Sequence, residues 1–222
     1  MSQILSVENV SYTYTNKYQK VEAVKNVSCL FEAGKMYAVV GRSGSGKSTL
    51  LSLLAGLDLP TSGEIFFEGK PMSSINRNRY RRDTASVIYQ SFNLFPLLTT
   101  LENVMYPLEL QGKHKREAAE VAKKLFADVG LNETVYRKFP QMMSGGEQQR
   151  IAIARALAAG GKILLADEPT GNLDTANEQT VVGLIKRLAH ERGYTAIVVT
   201  HNEAVAEQAD VVFVMSDGEM VS

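Results

Sequence analysis

The sequence has one cysteine and no tryptophan among its 222 residues. With Cys29 alone, no disulfide can form within the chain, which excludes the disulfide-stabilised scaffolds of small secreted proteins and favours a reducing compartment. Cys29 lies in a stretch of alternating apolar residues, so we expect it to behave as a small buried hydrophobe.

An excess of charge of one sign is also absent, because 24 lysine and arginine residues balance 24 aspartate and glutamate residues. Most nucleic-acid-binding proteins need a broad basic surface, and this balance argues against one. A local basic cluster is still present, formed by Arg77, Arg79, Arg81 and Arg82. We interpret it as a solvated face in preference to an RNA site, and we expect no nucleic-acid partner.

Long hydrophobic runs are missing as well. No window approaches the roughly 18 consecutive apolar residues that a membrane-spanning helix requires. The first ten residues contain Glu8 and no basic residue, unlike the start of a signal peptide. We therefore predict a soluble cytosolic chain that works at a membrane only if a partner holds it there.

Short β-rich runs alternate with helical patterns, which is typical of a parallel α/β sheet. The predicted strands are 4–7, 26–31, 36–40, 63–67, 85–89, 163–166, 195–200 and 211–215, with a hairpin turn at Asp217-Gly218. The predicted helices are 47–57, 116–129, 147–159 and 176–192, with a short one from Asn202. We predict a single domain over 1–222, with an α/β core (1–90 and 160–222) interrupted by a helical subdomain (91–159).

Residues 41–48 read GRSGSGKS and match the pattern G-x-x-x-x-G-K-[ST] between a predicted strand and a predicted helix. The glycines let main-chain N–H groups turn toward phosphate oxygens, and the helix N-terminus adds positive charge. We expect Lys47 to reach the β- and γ-phosphates and Ser48 to ligate Mg²⁺. The residues predicted to bind the nucleotide here are Gly41, Ser43, Gly44, Gly46, Lys47, Ser48 and Thr49.

A second motif is the apolar run 163–168, ILLADE, which ends in two acids. Asp167 is placed to hold Mg²⁺, through water, and Glu168 to polarise an attacking water. Two acids at the end of a strand occur about as often in a solvated loop as in a catalytic site. The phosphate loop in the same chain favours the interpretation as a site for Mg²⁺ and hydrolysis.

A third motif, MSGGEQQR over 143–150, opens a predicted helix with Ser-Gly-Gly. Free N–H groups, a hydroxyl and a positive helix end form a second anion-binding device. Because the chain already has a phosphate loop about 100 residues earlier, we expect this device to complete a site between two chains.

Together these motifs resemble the ATP-binding subunit of ABC transporters along essentially the whole chain. The matching residues are Ser144, Gly145 and Gly146 for the signature motif, Gln90 for the Q-loop, 171–174 with Asp174 for the D-loop, His201 for the switch histidine and Tyr14 for the aromatic that stacks on adenine. The resemblance implies a P-loop NTPase core with a mostly parallel sheet, an N-terminal antiparallel β part and an inserted helical subdomain.

The resemblance also implies a mechanism. Two copies would bind head to tail around two ATP–Mg²⁺, with Ser144 and Gly146 of one chain facing the nucleotide of the other. Glu168 would act as the base, His201 would contact the γ-phosphate, and Gln90 would sense Mg²⁺ and link the site to an integral membrane permease. The chain would then lie at the cytoplasmic face of the membrane, held by that permease.

Two residues depart from the family pattern, namely Met143, where leucine is usual, and Glu147, where glutamine is commonest. The runs SGGEQQR (144–150), PTGNLD (169–174), FNL (92–94) and LENV (101–104) resemble the lipoprotein-release and macrolide-export subgroup. The apolar cluster within 92–98 is explained partly by core packing and partly by a docking groove for the permease.

Several alternatives stay open. Tyr12 competes with Tyr14 for the adenine because residues two apart share a strand face. His114 and His190 are interpreted as solvated. An alternative function is that of an ABC ATPase acting on ribosomes or DNA, but such proteins usually have two cassettes in one chain or long coiled-coil insertions. A P-loop kinase would have no use for the Ser-Gly-Gly motif or for His201.

Overall fold

The computed structural model describes residues 2–221, and the predicted domain limits at 1 and 222 lie outside them. Its strands are β1 (Gln3–Thr15), β2 (Lys20–Glu32), β3 (Met36–Val40), β4 (Ser62–Phe67), β5 (Lys70–Pro71), β6 (Ala85–Tyr89), β7 (Ile163–Asp167), β8 (Thr195–Thr200), β9 (Val211–Ser216) and β10 (Glu219–Met220). Its α-helices are α1 (Lys47–Leu54), α2 (Arg77–Asp83), α3 (Thr100–Leu110), α4 (Lys115–Asp128), α5 (Gly145–Ala158), α6 (Thr175–Arg192) and α7 (Glu203–Ala206).

The strands form two sheets. One has the order β10-β9-β3-β8-β7-β6 and is parallel except for the edge strand β10. The other is antiparallel, with the order β2-β1-β4-β5. The predicted α/β fold, with a mostly parallel sheet and an antiparallel N-terminal part, is confirmed.

The central strands β3, β7 and β8 are buried along nearly their whole length, as expected for parallel strands covered on both faces. One core lies between the two sheets and α1, and includes Phe31 and Leu50. The other joins the parallel sheet to α3, α4, α5 and α6, and includes Phe126. The three helices α3, α4 and α5 fall within the predicted helical segment, whose exact limits stay a prediction.

The functional segments meet at one edge because parallel strands end there together. The Cα register pairs Val40 with Thr200 and Asp167 with Val199, while Tyr89 pairs with Asp167. The residues that follow β3, β6, β7 and β8 therefore converge on one edge of the sheet.

Some elements differ from the sequence-based expectation. The first two strands extend far beyond 4–7 and 26–31, since shifts of register between Val7 and Thr13 interrupt the alternation that marks a strand. Helix α1 ends at Leu54 and not near Leu57, because Gly56 adopts a φ of 65° just beyond it.

The arginine cluster is not simply a solvated face. Arg77 and Arg81 donate to the main-chain carbonyl of Gly56 beyond the end of α1, where unpaired carbonyls attract cations. Arg82 is exposed and pairs with Asp83. The solvated interpretation is therefore wrong for Arg77 and Arg81.

The two histidines outside the motifs differ from each other. Both are exposed, as predicted, but His114 only precedes α4 as its N-cap residue, whereas His190 pairs with Asp210 at 2.9 Å. Cys29 is partly buried against the first core, and this burial raises the pKa of its thiol to about 12. No helix within 2–221 is both long enough and apolar enough to cross a membrane.

Candidate nucleotide site

The phosphate loop connects β3 to α1 and depends on close main-chain approach. At Gly46, φ is 98° and a Cβ atom would lie 2.2 Å from the carbonyl oxygen of Ala23. Neither the dihedral angle nor the space accepts a side chain. Glycine is therefore required where the loop turns into the helix.

Lys47 is buried and directed back into this loop. Its Nζ atom donates to the carbonyl oxygens of Gly41 and Arg42, each at 2.8 Å. The ammonium group is thus held among the main-chain groups of the loop, where it can neutralise phosphate oxygens.

Ser48 and Asp167 form the candidate metal site. The Ser48 hydroxyl donates to Asp167 Oδ1 at 3.0 Å, which places two hard oxygen donors side by side. Burial raises the pKa of Asp167, assisted by the neighbouring Glu168. Mg²⁺ typically uses one or two such protein oxygens together with waters and substrate phosphates. The donor set fits Mg²⁺, and residues 2–221 contain no cluster of three His, Cys, Asp or Glu that would hold an ion without substrate.

Glu168 lies immediately beyond β7 in a strained position. Its φ of 47° is in the left-handed region, which is uncommon for residues other than glycine. Its carboxylate contacts His201 Nδ1 at 2.7 Å and accepts from Thr200 Oγ1 at 3.2 Å. Sequence reasoning did not identify Thr200, although it directly precedes His201 at the end of β8.

Gln90 lies opposite the D-loop and is fixed by a reciprocal pair of contacts. Gln90 Nε2 donates to Asn172 Oδ1 at 3.3 Å, and Asn172 Nδ2 donates to the Gln90 carbonyl oxygen at 3.1 Å. A Cβ atom on Gly171 would lie 2.6 Å from Gln90 Nε2. Asn172 belongs to the D-loop run, but no local sequence pattern predicts its contact with Gln90.

The signature motif starts α5 with a capping box. Ser144 Oγ accepts from the Glu147 N–H at 3.3 Å and donates to Glu147 Oε2 at 2.9 Å. Glu147 Oε2 also accepts from the Ser144 N–H at 2.8 Å, and this bond lowers the pKa of Glu147. Glu147, which stands where the family most often has glutamine, therefore supplies a carboxylate that fixes the signature residue Ser144.

The D-loop and the signature meet through Asn177, which the sequence did not single out. Asp174 caps α6 by accepting from Asn177 N at 2.9 Å and from Asn177 Nδ2 at 2.7 Å. A Cβ atom on Gly146 would lie only 2.1 Å from Asn177 Oδ1. Asn177 thus packs directly against the second glycine of the signature.

A cavity of about 600 Å³ brings most of the predicted residues together. It is lined by Ala23, Arg42, Ser43, Gly44, Gly46, Lys47, Ser48, Thr49, Gln90, Glu168 and His201. Gly41 and Asp167 are not among these lining residues, but they accept hydrogen bonds from Lys47 and Ser48, which are. Ser144, Gly145, Gly146 and Asp174 are not among the residues, within 2–221, that line it.

Tyr14 lies beside this cavity, and the Tyr12 ring packs edge-on against the Tyr14 ring, with the centroids 4.9 Å apart. The Tyr14 hydroxyl is 3.3 Å from Thr49 Oγ1, and its ring is about half exposed. Tyr12 packs on the core between the sheets, and burial raises its pKa, with a further contribution from Asp58. The position of Tyr14 favours it as the adenine partner.

An apolar groove of about 420 Å³ lies beside the Q-loop. Its lining includes Tyr89, Asn93, Phe95, Tyr106, Leu110 and Arg155. Of the predicted apolar cluster, Phe95 lines the groove, whereas Leu94 packs on the core and Leu97 is 87% exposed.

Comparison with known proteins gives a consistent picture. A family model described as ABC transporter matches residues 24–171. The lipoprotein-releasing system ATP-binding protein LolD of Syntrophus aciditrophicus is 38% identical over 222 residues, which is 99% of each chain. The macrolide export ATP-binding/permease protein MacB of Rhodopirellula baltica is 46% identical over 200 residues, covering 88% of this chain and 29% of MacB.

A solved structure is similar over nearly the whole chain. It is the dimeric, post-hydrolysis state of the ATP-binding cassette MJ0796 bound to ADP and phosphate, with a TM-score of 0.90 and 36% identity. The match covers 99% of this chain and 97% of that one. With the phosphate loop, the paired acids and the capped signature helix in place, the chain belongs to the ABC transporter family, as an ATP-hydrolysing cassette.

Proposed function

We propose that two copies of this chain bind head to tail, enclose two ATP–Mg²⁺ between them and use hydrolysis to drive a separate membrane permease. The observation that carries the proposal is the division of the phosphate-binding groups. The phosphate loop lines the cavity, whereas Ser144, Gly145 and Gly146 are not among the residues that line it within 2–221. A second copy supplies that anion-binding helix end.

ATP binding is the task of the loop 41–48. Lys47 and the loop N–H groups neutralise and orient the β- and γ-phosphates, and Tyr14 stacks on the adenine. Ser48 and Asp167 hold Mg²⁺, which when bound neutralises charge on the transferred phosphoryl group. Gln90 lines the same cavity, and we assign to it the sensing of Mg²⁺.

Hydrolysis is the task of Glu168. The attacking water adds to the γ-phosphorus as the bond to ADP breaks, and Glu168 accepts the water proton. Thr200 holds one carboxylate oxygen of Glu168, and His201 contacts the other. We assign His201, which is largely exposed, to the γ-phosphate once ATP is present.

The signature helix completes the site in trans. The Ser144 hydroxyl and the N–H groups that follow it face the γ-phosphate bound by the partner copy, at the positive end of α5. Asn177 links this helix end to the D-loop residue Asp174, so both segments approach the partner as one surface.

The permease is of the lipoprotein-release or macrolide-export kind. Two relatives carry those names, and the runs SGGEQQR and PTGNLD of this chain resemble that subgroup. The groove beside the Q-loop, which combines Tyr106, Leu110 and Arg155, is the docking surface we assign to that permease. The chain would then lie at the cytoplasmic face of the membrane.

A concentration series tests the shared site. If each site needs two chains, the ATPase rate per unit volume should rise with the square of protein concentration at low concentration, and Lys47→Ala should give no activity at any concentration. A rate that rises linearly over the whole range would contradict a site shared by two chains.

The docking surface is tested in cells. Tyr106→Glu places a charge in the apolar groove and should move the chain from the membrane fraction to the supernatant, while Tyr18→Glu, on an exposed residue, should not. Membrane retention that is unchanged in Tyr106→Glu would contradict this placement.

A further inference from the structure

The segment that follows Gln90 is held in an unfavourable conformation. Phe92 and Asn93 have φ values of 61° and 48°. Residues other than glycine rarely adopt this left-handed region, and two in succession persist only where the surroundings fix them. We call residues 90–94 the strap.

Arg155 of α5 supplies that fixation. Its Nη1 donates to the Asn93 carbonyl oxygen at 2.6 Å and its Nη2 donates to the Phe92 carbonyl oxygen at 3.1 Å. The guanidinium also lies 5.7 Å from the centre of the Phe95 ring. A planar fork of donors that stacks on an aromatic ring is a geometry that arginine has and lysine lacks.

Arg155 is committed to this contact. Burial lowers the pKa of its guanidinium, and within 2–221 no carboxylate forms an ion pair with it. A partly buried cation that is satisfied by two main-chain carbonyls of the strap indicates a positioning role, because an ion pair with a carboxylate would stabilise the fold without holding the strap.

The strap contacts α5 at two positions along the helix. A Cβ atom on Gly145 would lie 3.8 Å from Phe92 Cζ, so the Phe92 ring packs beside the signature. Arg155 lies ten residues further along α5, or about 15 Å at 1.5 Å per residue. The strap is therefore fastened along the length of the helix whose first turn we assign to the partner's ATP.

We propose that Arg155 is a positioning residue that locks the strap onto the signature helix, so that a displacement of α5 moves Gln90 with it. The inference rests on the proposed function, since it connects the two phosphate-facing segments of one chain. Contact of Ser144 with the partner's nucleotide would thereby reposition Gln90 in the chain's own site.

Hydrogen exchange without nucleotide tests the lock independently of catalysis. In Arg155→Lys, amide exchange of the peptide 90–95 should rise about tenfold, because one ammonium cannot replace the fork. Exchange of the β8 peptide 195–200 should stay unchanged, which shows that the fold is intact. The matched control Arg116→Lys, on the exposed surface of α4, should alter neither peptide. Unchanged exchange of 90–95 in Arg155→Lys would overturn the proposal.

Activity tests the consequence. Arg155→Lys should lower kcat about tenfold and leave KM for ATP within about twofold, as expected when a contact outside the binding loop is lost. Asn93→Gly should restore much of that kcat in the double variant, because glycine adopts a positive φ without support. A double variant no faster than Arg155→Lys would contradict the positioning role.

The two proposals fail separately. A wild-type chain without ATPase activity would refute the proposed function, while the exchange experiment would still decide whether Arg155 locks the strap.

Discussion

Alanine at two glycines of the phosphate loop separates dihedral strain from lack of space. Gly44 and Gly46 both have positive φ, at 81° and 98°. A Cβ atom on Gly44 would meet nothing within 4 Å, whereas one on Gly46 would lie 2.2 Å from the Ala23 carbonyl oxygen. The left-handed conformation costs alanine about 1–2 kcal/mol at either position. Only Gly46→Ala adds an overlap, which typically costs about 1–3 kcal/mol more.

These costs lower the affinity for ATP, because a phosphate loop that relaxes to relieve the strain of the new alanine must return to the observed conformation in order to bind ATP. Gly44→Ala should weaken binding of a fluorescent ATP analogue by at most about 30-fold, the equivalent of about 2 kcal/mol. Gly46→Ala should weaken it by more than about 30-fold. Equilibrium titration followed by fluorescence provides the values. Equal losses for both variants, or a larger loss for Gly44→Ala, would refute the reasoning from the Ala23 contact.

Two further predictions concern the adenine and the helix caps. Tyr14→Ala should raise the ATP dissociation constant, because the adenine loses one stacking face, which costs about 1–3 kcal/mol of binding free energy by analogy with base stacking. Tyr12→Ala should leave the dissociation constant unchanged. A larger effect in Tyr12→Ala would reverse the assignment. Glu102, whose pKa the Thr99 N–H lowers, stabilises the fold when ionised, so that contribution is present above about pH 4.5 and is lost as pH falls through its folded-state pKa. The stability difference between wild type and Glu102→Gln, measured by urea unfolding, should therefore shrink as pH falls below 4.5, and a constant difference would contradict this cause.

The parts of the site that could be predicted from sequence are those encoded by neighbouring residues. The phosphate loop, the acids after β7 and the histidine after β8 follow short apolar strands, and parallel pairing then brings them to one edge. Helix starts were located less closely, because the helix predicted from Glu147 begins at Gly145, where Ser144 and Glu147 form a capping box.

The parts that could not be predicted depend on contacts between distant residues. Asn172 binds Gln90 across 82 positions, and Arg155 binds Phe92 across 63. No local periodicity links such pairs, and Phe92 itself was expected only in a docking or core cluster. Bulges in β1 likewise hid the strand that carries Tyr14.

The most direct measurement of the shared active site uses Glu168→Gln. Glutamine cannot accept the water proton, so turnover should fall by roughly 10²–10⁴-fold while ATP binding survives. Loss of a negative charge near the γ-phosphate should also favour the closed pair of chains.

Size-exclusion chromatography with light scattering should therefore find Glu168→Gln as a dimer with saturating ATP and as a monomer without it. Adding Ser144→Arg should abolish that dimer, because the bulky side chain fills the space that the partner's γ-phosphate needs. A Glu168→Gln chain that stays monomeric with ATP, or a double variant that still dimerises, would contradict the account.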